Sequence, residues 1–135
     1  MNIGLDVDGV LVDTQTFQLR KGKKYFGKKC GISAKNPDMF EVMDVFECTK
    51  KQREAFWIRY IWKYCLKEPM TKDAAKVVNQ LRREGHHVVI ITSRVHTTET
   101  GITGKLFRWM VKHWLKKNHL TYDDILFSEE IGSGV

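Results

Sequence analysis

A continuous apolar run near the middle of the chain, HHVVIITS at residues 86–93, places the strongest constraint on the fold. Valine and isoleucine without interruption are typical of a parallel strand buried on both faces, because a strand with one exposed face alternates apolar and polar residues. Amphipathic helical patterns flank the run at residues 70–85 and 103–120. Since parallel strands need crossover helices, the segment predicts an α/β fold with a parallel sheet flanked by helices.

Local signals define further elements of the expected sheet. The N-terminal segment MNIGLDV predicts a strand that ends near Asp6, and ILF at residues 125–127 predicts a third, shorter strand. In the helix before the central strand, Thr71 is the candidate N-cap and Gly85 the C-terminal stop. This order of elements predicts a Rossmann-like sheet.

Residues 14–70 do not continue the alternation of helices and strands. They predict one helix near residues 14–29 and another over residues 49–66, where Thr49 and Gln52 form a possible capping box. The stretch Phe56 to Leu66 is apolar nearly all round, which predicts burial on more than one side or contact with a ligand.

The length of 135 residues is that of one ordinary domain. We expect a core formed by residues 1–13 and 71–130, with a small helical insert at residues 14–70. A hydrophobic content of 42% with 29% charged residues is typical of a globular protein and argues against disorder.

The formal charge of +7 raises the question of an anionic partner. The segment RKGKKYFGKK at residues 20–29 contains six basic residues and no acid. No recognised nucleic-acid motif accompanies it, and such a run is more often a solvated helix face. An anionic small substrate would profit equally from the positive field, so the sequence does not favour a nucleic-acid partner.

Membrane and redox signals are also weak. No apolar run approaches the ~18 residues that span a bilayer, and Asp6 and Asp8 interrupt the segment that a signal peptide would keep apolar. Cys30, Cys48 and Cys65 lie at wide spacings without a CxxC pair, which predicts reduced thiols. We therefore expect a cytoplasmic protein without a membrane partner.

Asp6 and Asp8 lie where the first predicted strand ends. In an open parallel sheet, ligands bind beyond the carboxyl ends of the strands, so both carboxylates are expected at that crevice. Two carboxylates this close repel each other unless a cation lies between them, and Mg²⁺ prefers such hard oxygen ligands. The alternatives are an acidic turn, in which an Asp side chain bonds its own backbone, and a fragment of an EF-hand loop, which the position of Gly9 and the strand context do not suit.

Two segments resemble a known family. DVDGVLVD at residues 6–13 resembles the first motif, DxDGVL, of the haloacid dehalogenase-like phosphatases, and VVIITSR at residues 88–94 resembles their second motif, an apolar strand that ends in Thr or Ser. The helical insert after the first motif makes the chain most similar to bacterial relatives of the 5'(3')-deoxyribonucleotidase branch.

The resemblance implies a Mg²⁺-dependent phosphatase with a helical cap that hydrolyses phosphomonoesters through an aspartyl-phosphate. It implies that Asp6 is the nucleophile and that Asp8 is the acid and base. It also implies that Asp6 holds Mg²⁺ together with the backbone carbonyl of Asp8. Gly9, Thr92 and Ser93 are implied as phosphate donors. The implied substrate is a small phosphorylated compound, a nucleotide included.

Two basic residues are further candidates for phosphate contact. Arg94 follows the second strand directly, and Lys105 begins the next predicted helix on the side of the crevice. Each has an ordinary alternative, because an Arg in this place is often a surface ion-pair residue and Lys105 also belongs to a solvated basic stripe.

The third and fourth motifs of the family are not found. No Lys follows the third strand; Asp123 and Asp124 precede it, at the end away from the crevice, while Glu129 and Glu130 follow it. We therefore expect a C-terminally shortened relative whose last strands are missing. The alternative to a phosphatase is an inactive remnant of this fold that binds a phosphorylated ligand or a partner. A phosphoacceptor receiver domain fits less well, because it needs its acceptor Asp near mid-chain.

Overall fold

The computed structural model describes residues 1–129. Residues 130–135, which include Glu130 and the end of the predicted core, lie outside the described residues. In chain order the described elements are β1 (Asn2–Leu5), α1 (Thr14–Lys29), α2 (Val42–Phe46), α3 (Lys50–Lys67), α4 (Ala74–Arg83), β2 (His87–Thr92), α5 (Gly101–Lys117) and β3 (Asp124–Phe127).

The three described strands form one parallel sheet in the order β1-β2-β3. Leu5 pairs with Ile90 across the first ladder, and Thr92 pairs with Phe127 across the second. The central place of β2 explains its unbroken apolar run, because it has a hydrogen-bonded neighbour on each side. The predicted α/β fold, a parallel sheet flanked by helices, is confirmed.

The two faces of the sheet differ in burial. Val88, Ile90 and Thr92 of β2 are fully buried, whereas Ile91 on the opposite face is 41% exposed. On that same exposed face, Leu126 of β3 is 51% exposed. The expectation that β2 is buried on both faces is therefore correct for one face only.

The chain divides into two compact units, one formed by residues 1–12 and the segment from Pro69 onward, the other by Asp13–Glu68. We refer to them as the sheet unit and the helical unit. The boundaries between the units lie between residues 12 and 13 and between residues 68 and 69. The boundaries expected from the sequence lie between residues 13 and 14 and between residues 70 and 71.

Side-chain caps and aromatic packing build the helical unit. The Asp13 carboxylate accepts the N–H of Thr16 and begins α1 at the predicted residue. Thr49 and Gln52 form the predicted capping box of α3, in which each side chain accepts the other residue's N–H. Phe26 of α1 stacks on Phe56 of α3, with ring centroids 5.5 Å apart.

The expectation of burial all round α3 is wrong. The buried residues of α3 lie along one face: Phe56, Tyr60, Tyr64 and Cys65. Ile58 is 77% exposed and Trp62 is 49% exposed, so α3 also presents apolar side chains to solvent. No helix within residues 1–129 combines the length and the apolar character needed to cross a bilayer.

The start of α4 differs from the prediction. Thr71 is not the N-cap; its hydroxyl donates to the Val10 carbonyl and its N–H donates to Leu11, so it ties the chain to the turn after β1. The helix begins at Ala74, after Asp73 with a φ of 63°. Gly85 ends the helix region as predicted, with a φ of 91° that favours glycine.

Candidate active site

A tight turn follows β1 and carries both acids of the first motif. The carbonyl oxygen of the buried Val7 accepts three backbone N–H groups at 2.9–3.3 Å, those of Val10, Leu11 and Val12. Gly9 has a φ of 85°, which a residue with a Cβ rarely adopts. The turn therefore fixes the backbone on either side of Asp8.

The Gly9 amide has a different partner from the expected one. Its N–H donates to the Val12 carbonyl at 2.9 Å, within the turn. An amide satisfied in this way does not offer a free donor to phosphate. Gly9 thus has a role in the turn, and phosphate binding by the backbone near it stays a prediction.

Asp8 is bound by Arg94, across the ends of two neighbouring strands. Arg94 Nη2 donates to Asp8 Oδ1 at 2.8 Å, and Nε lies 3.5 Å from Oδ2. The guanidinium is almost completely buried, at 4% exposure, while the Asp8 side chain is 27% exposed. The planar guanidinium thus fixes the orientation of the carboxylate.

The backbone around Arg94 is equally well held. Its N–H donates to the hydroxyl of the fully buried Thr92 at 3.2 Å, and its carbonyl accepts the hydroxyl of Thr97 at 2.6 Å. Arg108 of α5 then donates to the carbonyl oxygens of Thr97 and Glu99, both at 2.9 Å. The arginine at the site is therefore part of a network that reaches into α5.

Asp6 occupies the end of β1 and faces a cavity. One carboxylate oxygen accepts the N–H of Val7 at 2.7 Å. Burial, followed by the negative charge of Asp8, raises the pKa of Asp6 above its ordinary value, against the lowering effects of the Val7 N–H and the charge of Arg94. Asp6 and Ser93 both line a cavity of about 280 Å³ at the carboxyl ends of the strands.

The structure brings most of the predicted site residues together. Asp6 and Ser93 share the cavity, while Asp8, Arg94 and Thr92 are joined by hydrogen bonds. Lys105 is the exception: it is exposed on α5 and takes part in none of the ion pairs among residues 1–129. Its predicted phosphate contact has no support from the described contacts.

The donor set can be compared with what Mg²⁺ requires. No group of three or more His, Cys, Asp or Glu side chains able to hold a metal occurs among the described residues. Mg²⁺ keeps several waters and binds through one or two carboxylates together with substrate phosphate, so the Asp6 carboxylate with the backbone carbonyl of Asp8 is a minimal protein set. The repulsion that raises the pKa of Asp6 is the kind that a cation would relieve. The residues present therefore fit Mg²⁺.

A larger cavity, of about 560 Å³, lies at the opposite end of the strands. Its charged pair is engaged in structural bonds, since Asp123 accepts from Arg82 at 2.8 Å and from the Val88 N–H at 2.7 Å. Because parallel-sheet ligands bind at the carboxyl ends, we assign the chemistry to the smaller cavity with Asp6.

Sequence reasoning missed the pairing of Arg94 with Asp8 and the supporting roles of Thr97 and Arg108. Arg94 and Asp8 are separated by 86 positions in the sequence, so no short spacing pattern predicts their contact. A weak signal does exist for Thr97, because a Thr hydroxyl often bonds the backbone carbonyl three or four residues earlier.

The fold belongs to the α/β class, with its polar site at the carboxyl ends of parallel strands. Among solved structures it is similar to a 1.7 Å crystal structure of a "Putative Phosphatase from Clostridium difficile", with a TM-score of 0.52 and 15% sequence identity. The match covers 99% of this chain and 63% of that chain, so this chain spans less than two thirds of the neighbour's length. No protein-family model matches the sequence. No curated protein matches it either.

Proposed function

We propose that this chain is a Mg²⁺-dependent phosphatase that hydrolyses phosphomonoesters through an aspartyl-phosphate on Asp6. One observation carries the proposal: the two acids of the DxDGVL motif lie with Thr92 and Arg94 at the ends of adjacent parallel strands. The resemblance to haloacid dehalogenase-like phosphatases and the fold shared with the Clostridium difficile protein support it.

In the first half of the proposed reaction, an oxygen of Asp6 attacks the phosphorus of the ester. The bond from phosphorus to the leaving oxygen breaks, and its electron pair stays with that oxygen. Asp8, when protonated, gives its proton to this oxygen, so the product leaves as an alcohol.

In the second half, water attacks the phosphorus of the aspartyl-phosphate. Asp8 accepts a proton from the water, and the bond from phosphorus to the Asp6 oxygen breaks. Inorganic phosphate leaves, and the Asp6 carboxylate is regenerated. Because Asp8 regains in this half the proton that it gave up in the first, the site returns to its starting state.

Arg94 acts through Asp8 in this proposal. Its buried guanidinium holds the carboxylate in one orientation, so that the same oxygen can meet the leaving group and then the water. Ser93 and the Thr92 hydroxyl are proposed as phosphate donors. Mg²⁺, held by Asp6 and Asp8, would neutralise charge on the transferring phosphoryl group.

The proposed substrate is a small phosphorylated compound, a nucleotide included, and the proposed compartment is the cytoplasm. The substrate class rests on the resemblance in the two motifs and the helical insert, and the compartment rests on the acids that interrupt the N-terminal apolar segment.

A second candidate is an inactive relative that binds a phosphorylated ligand without turnover. The observation in its favour is that the described residues supply two acids at the site and no third. A carboxylate pair without its complete metal shell would bind Mg²⁺ weakly and turn over slowly.

Turnover of p-nitrophenyl phosphate with Mg²⁺, compared between wild type and Asp6→Asn, separates the two candidates. We expect hydrolysis that stops when EDTA is added, returns with Mg²⁺, and falls roughly a thousandfold or more in the variant. Asp124→Asn is a matched control, because Asp124 also accepts the next residue's N–H, at 2.8 Å, but lies at the other end of the sheet. Equal turnover by wild type and Asp6→Asn would refute the proposal.

A further inference from the structure

The positive charge of the chain is concentrated in the helical unit. Residues 13–68 contain thirteen Lys and Arg against seven Asp and Glu, which gives +6 of the total +7. The remaining residues have ten basic and nine acidic side chains. The excess positive charge therefore does not lie in the unit that holds Asp6 and Asp8. An anionic small substrate at that site does not explain why the helical unit is basic.

Five cations on two neighbouring helices form what we call the basic cluster. Its members are Arg20, Lys21 and Lys24 of α1, with Arg59 and Lys63 of α3. Tyr60 lies at its centre: Lys21 Nζ is 6.0 Å and Arg59 Cζ is 5.2 Å from its ring centroid. The two helices therefore bring together charges that are about forty residues apart in the sequence.

The charges of the cluster are poorly compensated within the chain. Arg20 binds Glu68 at 2.9 Å, but the ion pairs formed within residues 1–129 include none to the other four members. The pKa of Lys21 is lowered by partial burial and then by the charges of Lys63, Arg20 and Lys24, which together outweigh the raising effect of Glu68. Mutual repulsion of this kind is relieved when phosphate groups bind.

An exposed apolar surface adjoins the cluster. Trp62 lies three residues after Arg59 and four residues after Ile58 on α3, so its side chain is a neighbour of both on the helix surface. Trp62 is 49% exposed and Ile58 is 77% exposed. An indole beside several cations is the combination that binds unpaired bases and their phosphates together.

We propose that the basic cluster and Trp62 form a binding site for single-stranded nucleic acid. The cations contact successive phosphates, and a base stacks on the indole of Trp62. A duplex keeps its bases stacked inside and offers nothing to the indole. The proposal does not depend on the phosphatase activity, because none of these residues belongs to the sheet unit.

This proposal goes against the expectation from the sequence, which did not favour nucleic acid. The run at residues 20–29 supplies only the α1 half of the cluster. The α3 half becomes visible only when Lys21 and Arg59 meet at Tyr60.

The test measures binding of a fluorescently labelled dT20 oligonucleotide by anisotropy at several salt concentrations. We compare wild type with the cluster variant Lys21→Gln/Lys24→Gln/Lys63→Gln. The control variant is Lys72→Gln/Lys76→Gln/Lys116→Gln, which lowers the net charge by the same amount at exposed sites of the sheet unit. The cluster variant is expected to bind at least tenfold more weakly, and its salt slope is expected to be about two units shallower, since each phosphate contact contributes about 0.7. Circular dichroism of both variants verifies that they fold.

Equal loss of affinity in both triple variants would overturn the proposal, because binding would then follow net charge alone. Trp62→Ala is expected to weaken binding of dT20 about tenfold, and Trp62→Phe is expected to weaken it much less. If the two variants bind dT20 equally well, stacking of a base on Trp62 is refuted. Tighter binding to phosphatidylserine vesicles than to dT20 at the same salt would assign the cluster to a membrane surface instead. Asp6→Asn should bind dT20 as wild type does.

Discussion

At the scale of single residues, Arg94 shows what an ion pair can do for a catalytic group. Its guanidinium is 4% exposed and meets both oxygens of Asp8. A lysine in its place keeps the charge but has no planar pair of donors. We expect Arg94→Lys to lower the free energy of unfolding by about 1–2 kcal/mol and turnover of p-nitrophenyl phosphate by about tenfold or more.

Chemical denaturation and steady-state kinetics measure the two effects of Arg94→Lys. Arg83→Lys is the control, because Arg83 is exposed and, within residues 1–129, its guanidinium has only the nearby Gln80 side chain as a hydrogen-bond partner. A variant at position 94 that matches this control in both measurements would show that the geometry of the pair is unimportant.

Asp123 provides a prediction about pH. Its hydrogen bond from Arg82, then that from the Val88 N–H, lowers its pKa from 3.8 to about 2. A carboxyl whose pKa is lower in the folded state adds stability above pH ~4 and loses it as the pH falls towards 2. We expect Asp123→Asn to lower the melting temperature at pH 7 by a few degrees and to flatten its dependence on pH between 4 and 2.

The melting temperature measured across that pH range tests the Asp123 prediction. Asp124→Asn serves for comparison, because Asp124 binds only its neighbour's N–H among the described contacts. An Asp123→Asn curve parallel to that of wild type below pH 4 would contradict the assigned role.

At the scale of elements, two glycines of α1 form a natural pair for comparison. A Cβ at Gly22 would lie 2.3 Å from the Phe46 ring of α2, whereas a Cβ at Gly27 would have no neighbour within 4 Å. Alanine favours a helix over glycine by about 1 kcal/mol, so Gly27→Ala should stabilise the protein by up to that amount. Gly22→Ala should destabilise it by about 1–3 kcal/mol, because the ring must move.

Urea unfolding of the two glycine variants measures this difference. The helix-propensity gain is the same in both, so the difference between them reports the contact of α1 with α2. Stabilisation by Gly22→Ala would mean that the Phe46 ring moves aside freely.

The elements themselves were largely predictable from the sequence. The local sequence of residues 14–29 predicts α1, and the capping box at Thr49 and Gln52 predicts the start of α3. Burial was less predictable, because an apolar run reports only that a segment can be buried. Ile91 and Ile58 are apolar yet exposed, since burial depends on which other elements cover a face.

At the scale of the whole molecule, binding to the proposed site should stabilise the folded state. Orthovanadate with Mg²⁺ resembles a transferring phosphoryl group, and a ligand at a hundred times its Kd adds about 2.7 kcal/mol. We expect it to raise the melting temperature of wild type and not that of Asp6→Asn. Differential scanning fluorimetry measures this, with Asp124→Asn as the variant that should still respond.

The sequence by itself determined the parallel α/β class and most of the helices, and it proposed the polar residues at the ends of the first two strands. Those features rest on local periodicity, caps and short motifs, which act over a few residues. Tertiary structure alone decided that Arg94 binds Asp8, that the Gly9 amide is used within its turn, and that α1 and α3 join their cations around Tyr60. These contacts link residues far apart in the chain, so packing sets them and no local pattern records them.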